Sequence, residues 1–248
     1  SQTLKGLGIF ALWVYNKIMA KRCFIFLALT LILSGCLTVE SRQPRESWRF
    51  YYGTIDNPII DSNVTLSAAL KKYAPPKFKE RQRVVDVFYY SFDGLVHKGQ
   101  MIIDQRLVND IRQVFQVILE NKFPVKSVIP ISHDRFYKDG EWNSDGQSMI
   151  ANNTSGFNYR KVTGGKSLSM HSYGFALDIN PQQNPYIKGA VVLPEGAVYN
   201  PAAPGTLTGT CAVVKTFKRL GWTWGGEWKS LKDYQHFEKV VDKPANYR

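Results

Sequence analysis

Two stretches of this chain carry side chains whose types and spacing suit metal chemistry. The first, Ser169 to Asn180, reads Ser-Met-His-Ser-Tyr-Gly-Phe-Ala-Leu-Asp-Ile-Asn and sets Ser169, His171, Gly174, Ala176 and Asp178 at the spacing Ser-x-His-x-x-Gly-x-Ala-x-Asp. Phe175, Leu177 and Ile179 alternate with Ala176, Asp178 and Asn180, the period of a strand with one apolar face. Asp178 is therefore expected on the polar face with only the small Ala176 beside it, and Gly174 lets the chain turn or approach closely just before the strand. A neutral imidazole and a carboxylate converging in this way suit Zn2+, which takes nitrogen and oxygen ligands. A third ligand has to come from elsewhere, and the second stretch, Asp233-Tyr234-Gln235-His236-Phe237-Glu238, offers one.

With three protein ligands, zinc keeps an open position for water and lowers that water's pKa toward neutrality. Hydrolysis also needs a base that stands beside the metal without ligating it. Asp233, three residues before His236, is placed for that task if the chain turns between them, and Glu227 and Glu238 compete for it. Neither a His-Glu-x-x-His signature nor Cys-rich finger spacing occurs, and four histidines in all leave few other ligand sets. Arg160, eleven residues before His171, is a fixed cation suited to a carboxylate or an oxyanion. His133-Asp134-Arg135 and His97 read as surface or hydrogen-bonded groups rather than sites.

The elements that must position these residues follow from patterning. Leu66 to Tyr73 suits a short helix ended by Pro75-Pro76. Val84 to Tyr90 and Gly99 to Ile103 read as paired strands around the turn Phe92-Asp93-Gly94. Leu107 to Asn121 is the clearest helix, with Val108, Ile111, Val114, Phe115, Ile118 and Leu119 as its buried stripe. Val125 to Ile131 reads as a strand, and the Gly-, Asn-, Asp- and Ser-rich stretch Asp139 to Ser155 as one long loop. Pro- and Gly-rich sequence up to Pro204 suggests an extended connection or flap, Thr210 to Leu220 a helix capped by Gly221, and Trp222-Thr-Trp224 a strand. The fold class expected is α+β, a small antiparallel sheet carrying the zinc site with helices packed to one side.

The N-terminus differs. Met19-Ala-Lys21-Arg22 is a short positive segment, Cys23 to Leu33 is almost wholly apolar, and Leu33-Ser34-Gly35-Cys36 closes it. That is the layout of a secretory signal, and the apolar run is shorter than the roughly 20 residues of a spanning helix. The ending resembles a bacterial lipoprotein signal, which implies a lipidated Cys36 as a membrane anchor. Leu37 in place of Asp then favours an outer-membrane, periplasm-facing address in a Gram-negative cell envelope. The domain reading is 1–36 extension and signal, 37–78 linker and peripheral segment, and 79–248 zinc domain. Losing Lys5, Lys17, Lys21 and Arg22 with the leader lowers the formal net charge from +12 to +8. With no basic block and no nucleic-acid motif, that charge points to an acidic surface such as cell wall rather than to nucleic acid. Cys211 is left without a disulfide partner and reads as a small buried hydrophobe in a monomeric domain.

Ser169-x-His171-x-x-Gly174-x-Ala176-x-Asp178 followed by Asp233-x-x-His236 resembles the zinc D-Ala-D-Ala carboxypeptidases (VanY-type) and L-Ala-D-Glu endopeptidases that cut peptidoglycan stem peptides, a group that shares its fold with hedgehog proteins. The likeness runs from about Val84 to Glu238, through Ser155-Gly-Phe-Asn-Tyr-Arg160, Asn184-Pro185-Tyr186 and Gly221-Trp-Thr-Trp-Gly-Gly226. It implies a zinc metallopeptidase in which His171, Asp178 and His236 hold Zn2+. Asp233 is then the general base and later acid, Arg160 binds substrate and oxyanion, and Ser169 supports the site by hydrogen bonding at the substrate. Asp rather than Glu three residues before the last His resembles the endopeptidase branch. The alternative is a metal-containing but inactive cell-wall-binding module, against which the carboxylate at Asp233 argues.

Overall fold

The computed structural model describes residues 52–72, 74–137 and 144–241, all within the compact unit Arg49–Arg248. The leader with Cys36, the tether up to residue 51, Tyr73 and the start of the 139–155 stretch lie outside the described residues. Among the described residues no helix is long and apolar enough to cross a membrane.

The chain enters through β1 (Ile59–Ile60) and two one-turn helices, α1 (Leu66–Ala69) and α2 (Pro76–Lys79). Thr65 caps α1, its Oγ1 accepting from the Ala68 N–H, and α2 opens on Pro76, whose fixed φ suits a first turn. Ala69, Leu70, Ala74 and Phe78 of this segment are buried in the main core. β2 (Gln82–Tyr90) and β3 (Val96–Asp104) then form an antiparallel hairpin, and β1 adds parallel to the free edge of β3. The hairpin turn works because Asp93 Oδ1 accepts from the Leu95 N–H and Gly94 takes φ +79°. His97 of β3 is buried between Asp61 and Asp93, its two ring nitrogens each 3.0 Å from a carboxylate oxygen.

α3 (Val108–Glu120) packs on β2 through Ile111, Val114, Phe115 and Ile118, four of the six residues expected in its stripe. After β4 (Ser127–Val128), α4 (Ser144–Ile150) and β5 (Asn153–Thr154) lead toward the metal motif. β6 (Ala176–Asp178) is followed by the hairpin of β7 (Tyr186–Lys188) and β8 (Val191–Leu193), then by α5 (Ala212–Arg219) and β9 (Thr223–Trp224). β10 (Lys232–Asp233) joins the edge of β7, while β11 (His236–Glu238) lies between β6 and β9 in an antiparallel sheet. The molecule is thus an α+β fold of several small sheets and few helices. Behind β11, Phe237 stacks on Phe217 of α5 with centroids 3.9 Å apart, so one face of that strand is core and the other faces the site.

Four expectations need correction. The stretch 139–155 is not one loop: residues 144–150 are helical and 153–154 form a strand parallel to β4. Asn153 fastens it, its amide donating to the Ile129 carbonyl and its Oδ1 accepting from Ile129 N–H and Ser127 Oγ. The polar composition marks the ends of these elements, where Asn152 takes φ 57°, and a distant strand supplies the stability. Val125 to Ile131 contributes only two paired residues, because Pro130 has no N–H for a ladder. The α1 helix stops at Ala69, well short of residue 73. The connection after Asn184 holds a hairpin, turned by Gly189 at φ 57°. Cys211 is half-buried against the core edge, where it precedes α5.

Asn180 ties these parts together. It is fully buried at φ 46°, its Oδ1 accepts from Lys126 N–H (3.0 Å), and its amide donates to the carbonyls of Pro124 (2.8 Å) and Gly205 (3.1 Å). Asn180→Ala leaves the Pro124 carbonyl and the Lys126 N–H without this partner, while the Gly205 carbonyl keeps the Asn184 amide, and the backbone conformation is one alanine disfavours, so a loss of about 1–3 kcal/mol is expected. Denaturant unfolding of the metal-free protein checks this. A midpoint within error of wild type would show that the loop junction does not depend on the Asn180 side chain.

Candidate metal centre

His171 sits in a short 3-10 turn, Met170–Tyr173, whose cap is Ser169; the Ser169 Oγ accepts from the His171 N–H at 3.3 Å. The turn ends at Gly174 in the left-handed region, φ 70°. A Cβ at Gly174 would collide with Gln82 Oε1 and the Asp104 backbone nitrogen, so glycine is what lets the turn dock against the β2–β3 hairpin. Gln82, itself fully buried, donates from Nε2 to the carbonyls of Phe78 and Tyr173 and holds that docking in place. Strand β6 then carries Phe175, Leu177 and Ile179 into the core and leaves Asp178 facing the site.

The second half-site arrives by strand pairing. In the β6–β11 ladder His236 is directly opposite Asp178, and cross-strand partners of this kind stand close enough for their side chains to touch. His236 Nδ1 is 3.0 Å from Asp178 Oδ1, His171 Nε2 is 3.2 Å from Asp178 Oδ2, and the two imidazole nitrogens are 3.2 Å apart. All three residues are buried, and one ligand atom from each lies within 4.8 Å of the others.

The far sides of the rings decide what the near sides can do. His171 Nδ1 is 2.7 Å from the Gly156 carbonyl, an acceptor, so Nδ1 carries the proton and Nε2 presents a lone pair inward. His236 Nε2 is 3.2 Å from the Glu238 carboxylate, which in the same way turns the Nδ1 lone pair inward. Two lone pairs and a carboxylate facing one point repel one another unless a cation or a proton stands between them. This donor set fits a divalent metal, and the outer contacts are those that raise ligand basicity and fix ring orientation. In their absence from any cation, burial opposes a charge on His236, yet hydrogen bonds to Asp178 and Glu238 push it up to about 10. Burial likewise works to raise Asp178, and the two imidazoles outweigh it and hold the carboxyl below its ordinary range.

Asp233 stands beside this group on β10, next to the turn at Gly225, where a Cβ would collide with the Asp233 carbonyl. Its Oδ1 is buried with no hydrogen-bond partner among the described residues, and burial raises the carboxyl to about 6. His236, Asp233, Ser169, Arg160, Tyr186 and Trp228 all line one cleft of about 260 Å³. The arrangement can polarise a bound carbonyl and take up a proton next to it.

Of the competing bases, Glu227 points away and pairs with Lys218 at 2.6 Å on the surface, and Glu238 is engaged behind His236. His133 caps a surface turn, accepting from the Arg135 N–H. Glu238, read from the sequence as a competing base, serves His236 instead, and nothing local in the sequence announced the Gly156 carbonyl or Trp228, whose ring lies 5.4 Å from that of His236.

Residues 163–239 match the family described as D-alanyl-D-alanine carboxypeptidase. Over 75 residues the chain is 34% identical to the peptidoglycan L-alanyl-D-glutamate endopeptidase CwlK of Bacillus subtilis (strain 168), a span that covers 29% of this chain and 40% of that protein. No solved structure matches. The matched region holds both half-sites and begins just after Arg160. Residues 163–239, which carry both half-sites, are therefore similar to the D-alanyl-D-alanine carboxypeptidase family, in agreement with the resemblance read from the motifs.

Proposed function

We propose that this chain is a zinc-dependent peptidase that hydrolyses an amide bond in the stem peptides of peptidoglycan. The observation that carries the reading is the convergence of two inward lone pairs, from His171 and His236, on the Asp178 carboxylate with Asp233 beside them. His171, Asp178 and His236 would hold Zn2+, with an arrangement around it of the hedgehog or D-Ala-D-Ala peptidase kind. When bound, the ion supplies Lewis-acid polarisation of the scissile carbonyl and an acidified water.

The chain's own groups do the rest. Asp233, raised toward neutrality, takes the proton of the attacking water and returns it to the leaving amine. Arg160, at the cleft wall, holds a substrate carboxylate or the developing oxyanion. Ser169 orients His171 through its backbone and borders the substrate space. Asp at position 233, together with the activity for which the B. subtilis relative is named, favours cleavage between L-Ala and D-Glu over removal of a terminal D-Ala. A lipidated Cys36 would tether the domain to the cell envelope, where the basic charge of the chain suits an acidic wall.

The test is mass spectrometry of defined muropeptides incubated with the zinc-loaded protein. Release of the stem peptide beyond L-Ala is expected; loss of a terminal D-Ala would instead make it a carboxypeptidase. Intact muropeptides with zinc bound would leave a metal-containing binding module. In the active protein, Asp233→Asn removes the base while keeping its shape, and turnover should fall by about a hundredfold to ten-thousandfold with zinc content unchanged. Undiminished turnover would transfer the base role to another group.

Proton linkage gives a second check. Because His236 is raised to about 10 in the metal-free protein, it carries a proton at neutral pH that zinc must displace. Zinc affinity is therefore expected to weaken as pH falls, by about tenfold per unit where one proton is exchanged. Calorimetry at pH 7 in buffers of different ionisation enthalpy should show about one proton released, and no release would contradict the inward-facing site. For the reaction, Asp233 must be ionised, so the acid limb of the rate should lie at pH 6 or lower, a bound cation pulling the carboxyl down from its metal-free value.

A further inference from the structure

Arg160 does not stand alone at the cleft wall. Its backbone is locked to the metal-bearing turn, with the Arg160 N–H donating to Ser172 Oγ at 2.9 Å and the Ser169 N–H donating to the Arg160 carbonyl at 3.0 Å. Its side chain is held by charge: Nε lies 2.9 Å from Asp145 Oδ1 in an ion pair whose geometry falls short of a hydrogen bond. Asp145 comes from α4, the helix that sequence patterning had rendered as loop, and it is itself anchored. Asn158, 2% exposed, donates from Nδ2 to Asp145 Oδ1 at 2.8 Å. Lys72 in turn donates from Nζ to Asn158 Oδ1 at 2.6 Å, which fixes which way the Asn158 amide faces.

The chain Lys72–Asn158–Asp145–Arg160 therefore backs one end of the cleft, which Asp145 and Arg160 line. Arg160 Nη1 donates to the Lys161 carbonyl, and the residue lines the cleft together with Asp145. An arginine side chain is costly to immobilise, so holding it in place before substrate arrives removes part of that cost from binding.

We propose that Asp145, oriented by Asn158 and Lys72, is a positioning residue that holds the Arg160 guanidinium at the cleft to receive a carboxylate of the substrate. The inference rests on the reading of the cleft as a peptidase site, and adds Asp145, Asn158 and Lys72 to what sets its substrate affinity. Burial lowers the Lys72 pKa, Asp145 acts against that and Arg160 adds to it, so the charges of this network act on one another.

The test compares zinc-loaded wild type, Asp145→Asn and Asp145→Glu on a muropeptide that the wild type cleaves, alongside 15N NMR of the Arg160 Nε–H in each protein. Asp145→Asn is expected to raise KM about tenfold with kcat within about twofold, the scale of one freed arginine side chain. Asp145→Glu should recover most of the loss. Solvent exchange at the Arg160 Nε–H should quicken in Asp145→Asn and return in Asp145→Glu. An unchanged KM overturns the proposal, and a lowered KM overturns it too, because Asp145 would then compete with substrate for Arg160. A fall in kcat alone, with KM unmoved, removes the substrate carboxylate from the account. If the wild type cleaves no muropeptide, the peptidase reading fails separately, and unaltered Nε–H exchange in Asp145→Asn then overturns the positioning role by itself.

Discussion

The structure depends on a repulsion that the fold refuses to relieve. Two imidazole nitrogens are held 3.2 Å apart and both face one carboxylate, while their other nitrogens are committed to the Gly156 carbonyl and the Glu238 carboxylate. His171 cannot flip without leaving the buried Gly156 carbonyl unsatisfied, which costs more than a hydrogen bond contributes, and a flipped His236 would give up the Glu238 carboxylate. A cation at the centre would turn this frustration into binding energy, and a proton on His236 can take its place.

Much of the surrounding architecture can be understood as what keeps those rings in place. The β6–β11 register puts Asp178 opposite His236, and Phe237 on the reverse face is clamped by Phe217, so a slip of one residue would turn His236 into the apolar core and Phe237 toward the site. The His171 turn cannot drift either, because Gly174 lets it sit against Gln82 and the β3 end while Ser169 caps it. Asn180, two residues beyond the ladder, carries the same rigidity outward to the Pro124–Lys126 segment and the Gly205 loop. The site is a local arrangement of polar groups, but its precision comes from apolar packing on the other side of each strand.

What the amino-acid sequence disclosed follows from the range of each signal. The alternation around Asp178 and the helical stripe of residues 107–121 are local, periodic and strongly apolar, and the structure holds a strand and a helix there. The α4 helix was invisible because Ser144–Ile150 has no apolar period of its own; it is held by side chains such as Ser148 and Asn153 meeting a strand some twenty-five residues away in sequence. Site residues divide in the same way. His171, Asp178 and His236 announced themselves by type and spacing, whereas the Gly156 carbonyl is a backbone atom that any residue could supply, and only the Ser155–Asp178 bridge brings it to the ring. Asp145 was hidden for both reasons, since its partner Arg160 is fifteen residues away and the helix between them was not legible.

The central claim is that His171, Asp178 and His236 together hold one zinc ion. X-ray absorption at the zinc edge, with metal stoichiometry measured on the same samples of wild type and His236→Ala, tests it most directly. The account predicts one zinc per wild-type chain in a shell of nitrogen and oxygen only, with scattering from two imidazoles at about 2.0–2.1 Å, and loss of tight binding in His236→Ala. A full complement of zinc in that variant, or a sulfur neighbour from Cys211, would contradict it.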